Sequence, residues 1–154
     1  MKQLRNTEVE INLQNALDGG HRVWVIGDVH GFSESLRRLV RTLELSEDDR
    51  VVLLGDLIDR GPDSFDVVRF AREDPRVFCV KGNHEMMMTE NFALDLIEHP
   101  NEDARVWFHA GGRETVASYF RAFPDDAEGA LRWMIDQDIE WMKALPAHIV
   151  LEQW

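Results

Sequence analysis

Apolar residues along the chain fall into two kinds of run. Three are short and nearly continuous: the openings of VWVIGDVHG (23–31), VVLLGDLIDRG (51–61) and VFCVKGNHE (77–85). Runs of this length, rich in Val, Ile, Leu and Phe and closed by Gly or Lys-Gly, predict buried strands. Elsewhere the apolar positions recur at helical spacing. Leu36, Leu39, Val40 and Leu43 predict an amphipathic helix with Ser33 as its N-cap, leading to the SEDDR turn. After Gly61-Pro62-Asp63, the positions Phe65, Val67, Val68 and Phe70 predict a second helix of two to three turns. A third helix is expected from Glu85. Its Met86, Met87, Met88, Phe92, Leu94, Leu96 and Ile97 cover more of the circumference than a narrow stripe, so it should pack on two sides. From Arg113 the pattern is helical again, through Val116, Tyr119 and Phe120 and then Leu131 to Leu145, with Asp125, Asp126 and Glu128 as a solvated helix start. Pro146 ends that run. The closing AHIVLEQW alternates as a strand does. Strands separated by helices predict an α/β fold.

Composition narrows the class. A chain of 154 residues with 44% hydrophobic content suits one domain with a real core, spanning residues 1–154. Acidic side chains outnumber basic ones 29 to 17, a formal net charge of −12. Such a field disfavours nucleic acid and anionic membrane as partners, both of which are gripped through Lys and Arg, and it favours a site that concentrates divalent cations. The single Cys79 rules out an intrachain disulfide and fits a reducing compartment. No apolar stretch reaches the roughly 18 residues of a membrane span, and the first twenty residues lack the apolar middle of a signal peptide. The expected location is cytoplasmic. Cys79 and the Met86–Met88 run read as packing, and Trp107, Trp133 and Trp141 as core or cleft wall.

The three strand-like runs each end in a cluster of metal-liking side chains, which open α/β sheets gather at the carboxyl ends of their strands. Asp28 and His30, two positions apart at a strand exit, can point the same way and grip one cation. Asp56 has lone pairs enough to bridge two cations, and Asn83 adds a neutral amide oxygen that suits Mn, Fe, Zn or Mg. His84 follows at once and would face the substrate. Asp59 can hold that imidazole and favour its protonated form. Arg60 supplies a planar fork for two phosphate oxygens. Together these residues predict a phosphate-ester hydrolase.

GDVHG, GDLIDRG and GNHE, in that order and with strand–helix units between them, resemble the calcineurin-like metallophosphoesterases. Within these the chain is similar to the phosphoprotein phosphatase family, especially its bacterial and phage serine/threonine phosphatases, and to the related symmetrical dinucleoside tetraphosphatases. The resemblance covers residues 22 to about 90 most strongly. It implies a pair of mixed sheets packed face to face, a β-sandwich flanked by helices, with metals in loops at one edge. It implies Asp28, His30 and Asp56 on a first divalent ion and Asp56 and Asn83 on a second, the ions being Mn, Fe or Zn. It further implies His84 as the acid that protonates the leaving alkoxide with Asp59 behind it, and Arg60, Asn83 and Lys81 as phosphate contacts. Lys81 stands where the family usually has Arg. The substrate so implied is a phosphorylated protein or a small phosphate ester.

The family completes its second metal with two later histidines. His109, in WFHAGGRET (107–115), is not read as one of them, because 25 residues from His84 leave too little room for the helical segment that intervenes. The stretch instead resembles an Asn-Gly-Gly segment near the substrate cleft, with Gly111, Gly112 and Thr115 in register. WMKALPAHIVLEQ resembles the passage just before the histidine strand, so the sequence is expected to stop short of it, as the N-terminal part of the family domain. The second metal would then be incompletely held. A catalytically weak relative that binds a metal or a partner, and self-association through an exposed sheet edge, are the other expectations that follow.

Overall fold

A computed structural model of the chain describes residues 4–91 and 101–152. The three short apolar runs form β1 (Val23–Ile26), β2 (Arg50–Leu53) and β3 (Val77–Cys79). They make one parallel sheet in the order β1-β2-β3. Ile26 pairs with Leu53, and Leu53 in turn with Cys79. The strands therefore end level, and the loops that leave them start side by side at one edge of the sheet. Central β2 is buried along Val51–Leu53. β1 departs from the buried strand predicted: it pairs only with β2 among the described residues, and Trp24 and Val25 are exposed. An edge strand presents one row of backbone N–H and C=O groups without a strand partner.

Helices α2 (Ser33–Thr42) and α3 (Ser64–Glu73) are the expected crossovers. Ser33 is the first helical residue rather than the cap, a place taken by Phe32 without a side-chain bond. Leu36 and Val40 face the core, whereas Leu39 is exposed. In α3, Val67, Val68 and Ala71 are buried. α4 (Asn83–Asn91) begins two residues before Glu85. Its Met88 is buried, but Met86 is exposed and does not fill the core. Phe92, Leu94, Leu96 and Ile97 lie outside the described residues.

Helix α1 (Thr7–Asp18) was not signalled by a clear apolar stripe, since Ile11 is exposed while Leu13 and Ala16 are buried. Asn6 caps it, its side-chain oxygen accepting from the N–H groups of Glu8 and Val9. The predicted C-terminal strand is absent among residues 147–152. The backbone there bonds to the N-terminal segment instead. Val150 N–H donates to Glu10 Oε1 at 2.9 Å, Glu152 N–H to Gln14 Oε1 at 3.0 Å, and Ala147 N–H to the Leu4 carbonyl at 3.1 Å. Side chains of α1 thus take the donors that a neighbouring strand would take in a sheet.

The second half is helical: α5 (Glu102–Trp107), α6 (Arg113–Ala122), α7 (Ala127–Trp133) and α8 (Glu140–Ala144), with wide π-helical turns at Phe108–Gly112 and Met134–Ile139. Asp126 caps α7 by accepting from Gly129 N–H at 2.8 Å. One contiguous core joins the halves, running from Val51, Leu53, Leu57, Ile58, Val67 and Val68 to Met88, Trp107, Tyr119, Met134 and Met142. Full burial of each such side chain is worth about 1.5–3 kcal/mol. The fold is α/β with a small sheet flanked by helices. Of the two sheets that the resemblance implies, the described residues form one, with three strands.

Candidate metal centre

Five non-glycine residues among those described have positive φ, and four of them lie in the loops leaving β1 and β2: His30 (46°), Asp56 (48°), Asp59 (72°) and Arg60 (68°). Each costs of order 1–3 kcal/mol and persists only where its surroundings over-determine it. Here the two loops are stitched together through their backbones. Val29 and His30 N–H both donate to the Asp56 carbonyl, at 3.0 and 2.8 Å, and Gly61 N–H donates to the His30 carbonyl at 2.9 Å. The third loop is tied in by Glu85. Its fully buried carboxylate accepts from the N–H groups of Asp56, Leu57 and Gly82 at 2.8–2.9 Å. A Cβ at Gly82 would collide with the backbone nitrogen and Oδ1 of Asp56, so only glycine lets these loops touch.

The side chains that result face one point. Ligand atoms of His30, Asp56 and His84 lie within 4.8 Å of one another. His30 Nδ1 sits 3.0 Å from the Ile58 carbonyl, which can only accept, so Nδ1 carries the proton and Nε2 keeps a lone pair. His84 is fixed in the same way, with Nδ1 2.7 Å from Asp59 Oδ2. Both lone pairs are taken by a cation. Arg60 Nη1 donates to His30 Nε2 at 2.5 Å and Arg60 Nη2 to His84 Nε2 at 3.0 Å. Asp28 lies beside them, its Oδ2 3.6 Å from His30 Nε2, with the side chain mostly exposed. Asp56 Oδ1 accepts from His84 N–H at 3.1 Å. Imidazole nitrogens that present lone pairs to a cationic group, set among carboxylate oxygens, are a donor set that a divalent transition metal accepts.

Asn83 is exposed at the start of α4, lining a groove with Lys81, Gly82 and Met86. Lys81 reaches away from the cluster, its Nζ donating to the Lys143 carbonyl at 2.8 Å. His109 is exposed in the wall of an open cleft that it shares with Arg60, Phe108 and Arg113. Cys79 is buried, and burial followed by the nearby Glu85 charge pushes its thiol up, as inert packing requires.

Asp59 is completely buried. Burial pushes its carboxyl above the usual aspartate range, and hydrogen bonds from Thr115, His84 and Trp107 pull the other way. Neither Trp107 nor Thr115 was read as a partner of Asp59. They lie 48 and 56 residues along the chain from it, and only the register of Thr115 in GGRET hinted at the cleft. Glu85, expected as the start of a helix, has as its further role the tie between the loops.

A family model described as Calcineurin-like phosphoesterase matches residues 21–149. The chain belongs to that family. Among curated relatives, the serine/threonine-protein phosphatase 2 of Escherichia coli (strain K12) is 37% identical over 91 residues, covering 58% of this chain and 38% of that protein. The symmetrical bis(5'-nucleosyl)-tetraphosphatase of Proteus mirabilis (strain HI4320) is 31% identical over 103 residues, covering 66% of this chain and 38% of that protein. A solved protein serine/threonine phosphatase from Saccharomyces cerevisiae superposes with a TM-score of 0.47 at 18% identity, covering 99% of this chain and 39% of that one. The chain spans well under half the length of these relatives. Family membership accounts for the clustering of GDVHG, GDLIDRG and GNHE at one sheet edge. No described helix is long and apolar enough to cross a membrane.

Proposed function

We propose that this chain carries the metal-binding core of a phosphoesterase that hydrolyses phosphate monoesters, phosphoserine or phosphothreonine in proteins first among them. One observation supports this above all: His30, Asp56 and His84 present their ligand atoms within 4.8 Å, on loops whose strained backbones are locked by hydrogen bonds. Asp28, His30 and Asp56 would hold the first ion, and Asp56 with Asn83 would supply this chain's share of a second. Bound there, such ions supply Lewis acidity that lowers the pKa of a water and neutralises phosphoryl oxygens.

The remaining work falls to the chain's own groups. Arg60, whose guanidinium spans the two imidazoles, has the planar fork that takes two phosphate oxygens once it turns to substrate. His84 then has Nε2 free to carry a proton to the leaving oxygen, while Asp59 keeps Nδ1–H in place and balances the imidazolium charge. The exposed cleft beside Arg60 gives a leaving group room. A second reading, symmetrical cleavage of dinucleoside tetraphosphates, draws support from relatives of that name, one of them 40% identical over 103 residues.

Turnover of p-nitrophenyl phosphate with added Mn is the direct test. Activity that a chelator removes and Asp56→Asn abolishes is expected, and activity indifferent to both overturns the reading. Comparing a phosphothreonine peptide with diadenosine tetraphosphate then ranks the two substrate classes.

A further inference from the structure

The Asp59 carboxylate collects more donors than a structural aspartate needs. Oδ2 accepts from His84 Nδ1 at 2.7 Å and from the Trp107 indole Nε1–H at 3.0 Å. Oδ1 accepts from Thr115 Oγ1 at 2.7 Å and shares the indole N–H at 3.2 Å. Proton directions follow. Thr115 has one hydroxyl proton, and an ionised Asp59 can only accept, so that proton is committed to Oδ1. Thr115 Oγ1 must then be the acceptor in its 3.0 Å contact with Ser64 Oγ, and it also accepts from Asp59 N–H at 2.9 Å. Asp59, at φ 72°, is thus held through both its backbone and its side chain.

The polypeptide between Trp107 and Thr115 is shaped for this. It runs through the π-helical turn Phe108–Gly112, so both flanking helices return to a single carboxylate. Gly111, at φ 117°, lets its carbonyl approach Arg60, whose N–H it accepts at 3.3 Å. A Cβ at Gly112 would collide with the Trp107 indole, so glycine there lets the ring lie against the backbone within reach of Asp59. The spacing W-x-x-x-G-G-x-x-T encodes a clamp.

We infer that Trp107 and Thr115 are positioning residues, which fix the Asp59 carboxylate and through it the tautomer and aim of His84. The inference concerns the site on which the phosphoesterase reading rests, yet it needs no turnover to be tested. In nitrogen-15 NMR spectra of the full chain, His84 should carry its proton on Nδ1, with that proton shielded from exchange. Trp107→Phe keeps the ring and loses the N–H, and Thr115→Val keeps the shape and loses the hydroxyl. Each should speed exchange of the His84 Nδ1 proton by about tenfold or more, the scale of one hydrogen bond to a charged group. Thr115→Ser should restore protection. In p-nitrophenyl phosphate assays the same two variants should lower kcat and leave KM nearly unchanged. Native backbone spectra with unaltered His84 tautomer and exchange in both Trp107→Phe and Thr115→Val would overturn the inference. An inactive wild-type chain that still shows the protected proton would instead count against the phosphoesterase reading alone.

Discussion

Arg60 is the residue on which binding and chemistry meet. Its guanidinium lies against the same two Nε2 atoms that a metal or a proton would use, so in this arrangement it competes with both. A positive charge this close opposes a divalent cation even after solvent screening. Arg60→Ala is therefore expected to tighten Mn binding several-fold while raising KM for a phosphate ester. Calorimetric titration reads the first effect and steady-state kinetics the second. Weaker metal binding in the variant would show that Arg60 supports the cluster rather than competing with it.

Among elements, two buried carboxylates tie distant parts of the fold. Asp138 is fully buried in the π-helical turn before α8, where it accepts from the Tyr119 hydroxyl at 2.7 Å and pairs with Arg72 of α3. Asp138→Asn leaves the Arg72 charge partly buried without its counter-ion and should cost about 1–3 kcal/mol. For a chain of this size that lowers Tm by about 2–12 °C. Asp49 joins the start of β1 to the turn before β2, accepting from Arg22 N–H at 2.8 Å, from the Arg22 guanidinium at 2.6 Å and from Ser46 N–H at 2.8 Å. The Arg22 guanidinium, then the backbone N–H groups of Arg22 and Ser46, hold its carboxyl well below the ordinary aspartate range. A folded-state pKa that is depressed stabilises above the unfolded value and loses that contribution as pH falls through the folded one. The Tm gap between wild type and Asp49→Asn should be full at pH 7 and begin to close below the ordinary value of 3.8. A gap independent of pH would remove the charge from the explanation.

The same elements mark what the sequence could reveal. β1, β2, β3 and the loops that leave them were legible because a parallel strand and the loop after it are local, a few residues each, and the turn glycines punctuate them. Helices α2 and α3 were legible from apolar spacing. Helix α1 was not, since its buried face holds Glu10 alongside Leu13 and Ala16, a carboxylate neutralised by Arg5 at 2.6 Å. AHIVLEQW alternates like a strand, yet its backbone is satisfied by side chains of α1, a long-range choice that no local pattern records. The Asp59 clamp was hidden for a similar reason: its partners stand on α5 and α6, 48 and 56 residues along the chain.

For the molecule as a whole, a bound divalent ion should be worth stability as well as chemistry. At a hundred times its Kd it would add about 2.7 kcal/mol, or roughly 5–11 °C in Tm, reversed by a chelator. The excess of acidic over basic side chains, 29 to 17, adds a favourable background field that salt should weaken.

The most direct test of the account is a calorimetric titration of Mn into the chain, with Asp56→Asn and His30→Ala alongside. At least one saturable site per chain, lost in both variants, is the predicted result. Absence of saturable binding, or binding that both variants retain, would contradict the claim that these three loops assemble a metal centre.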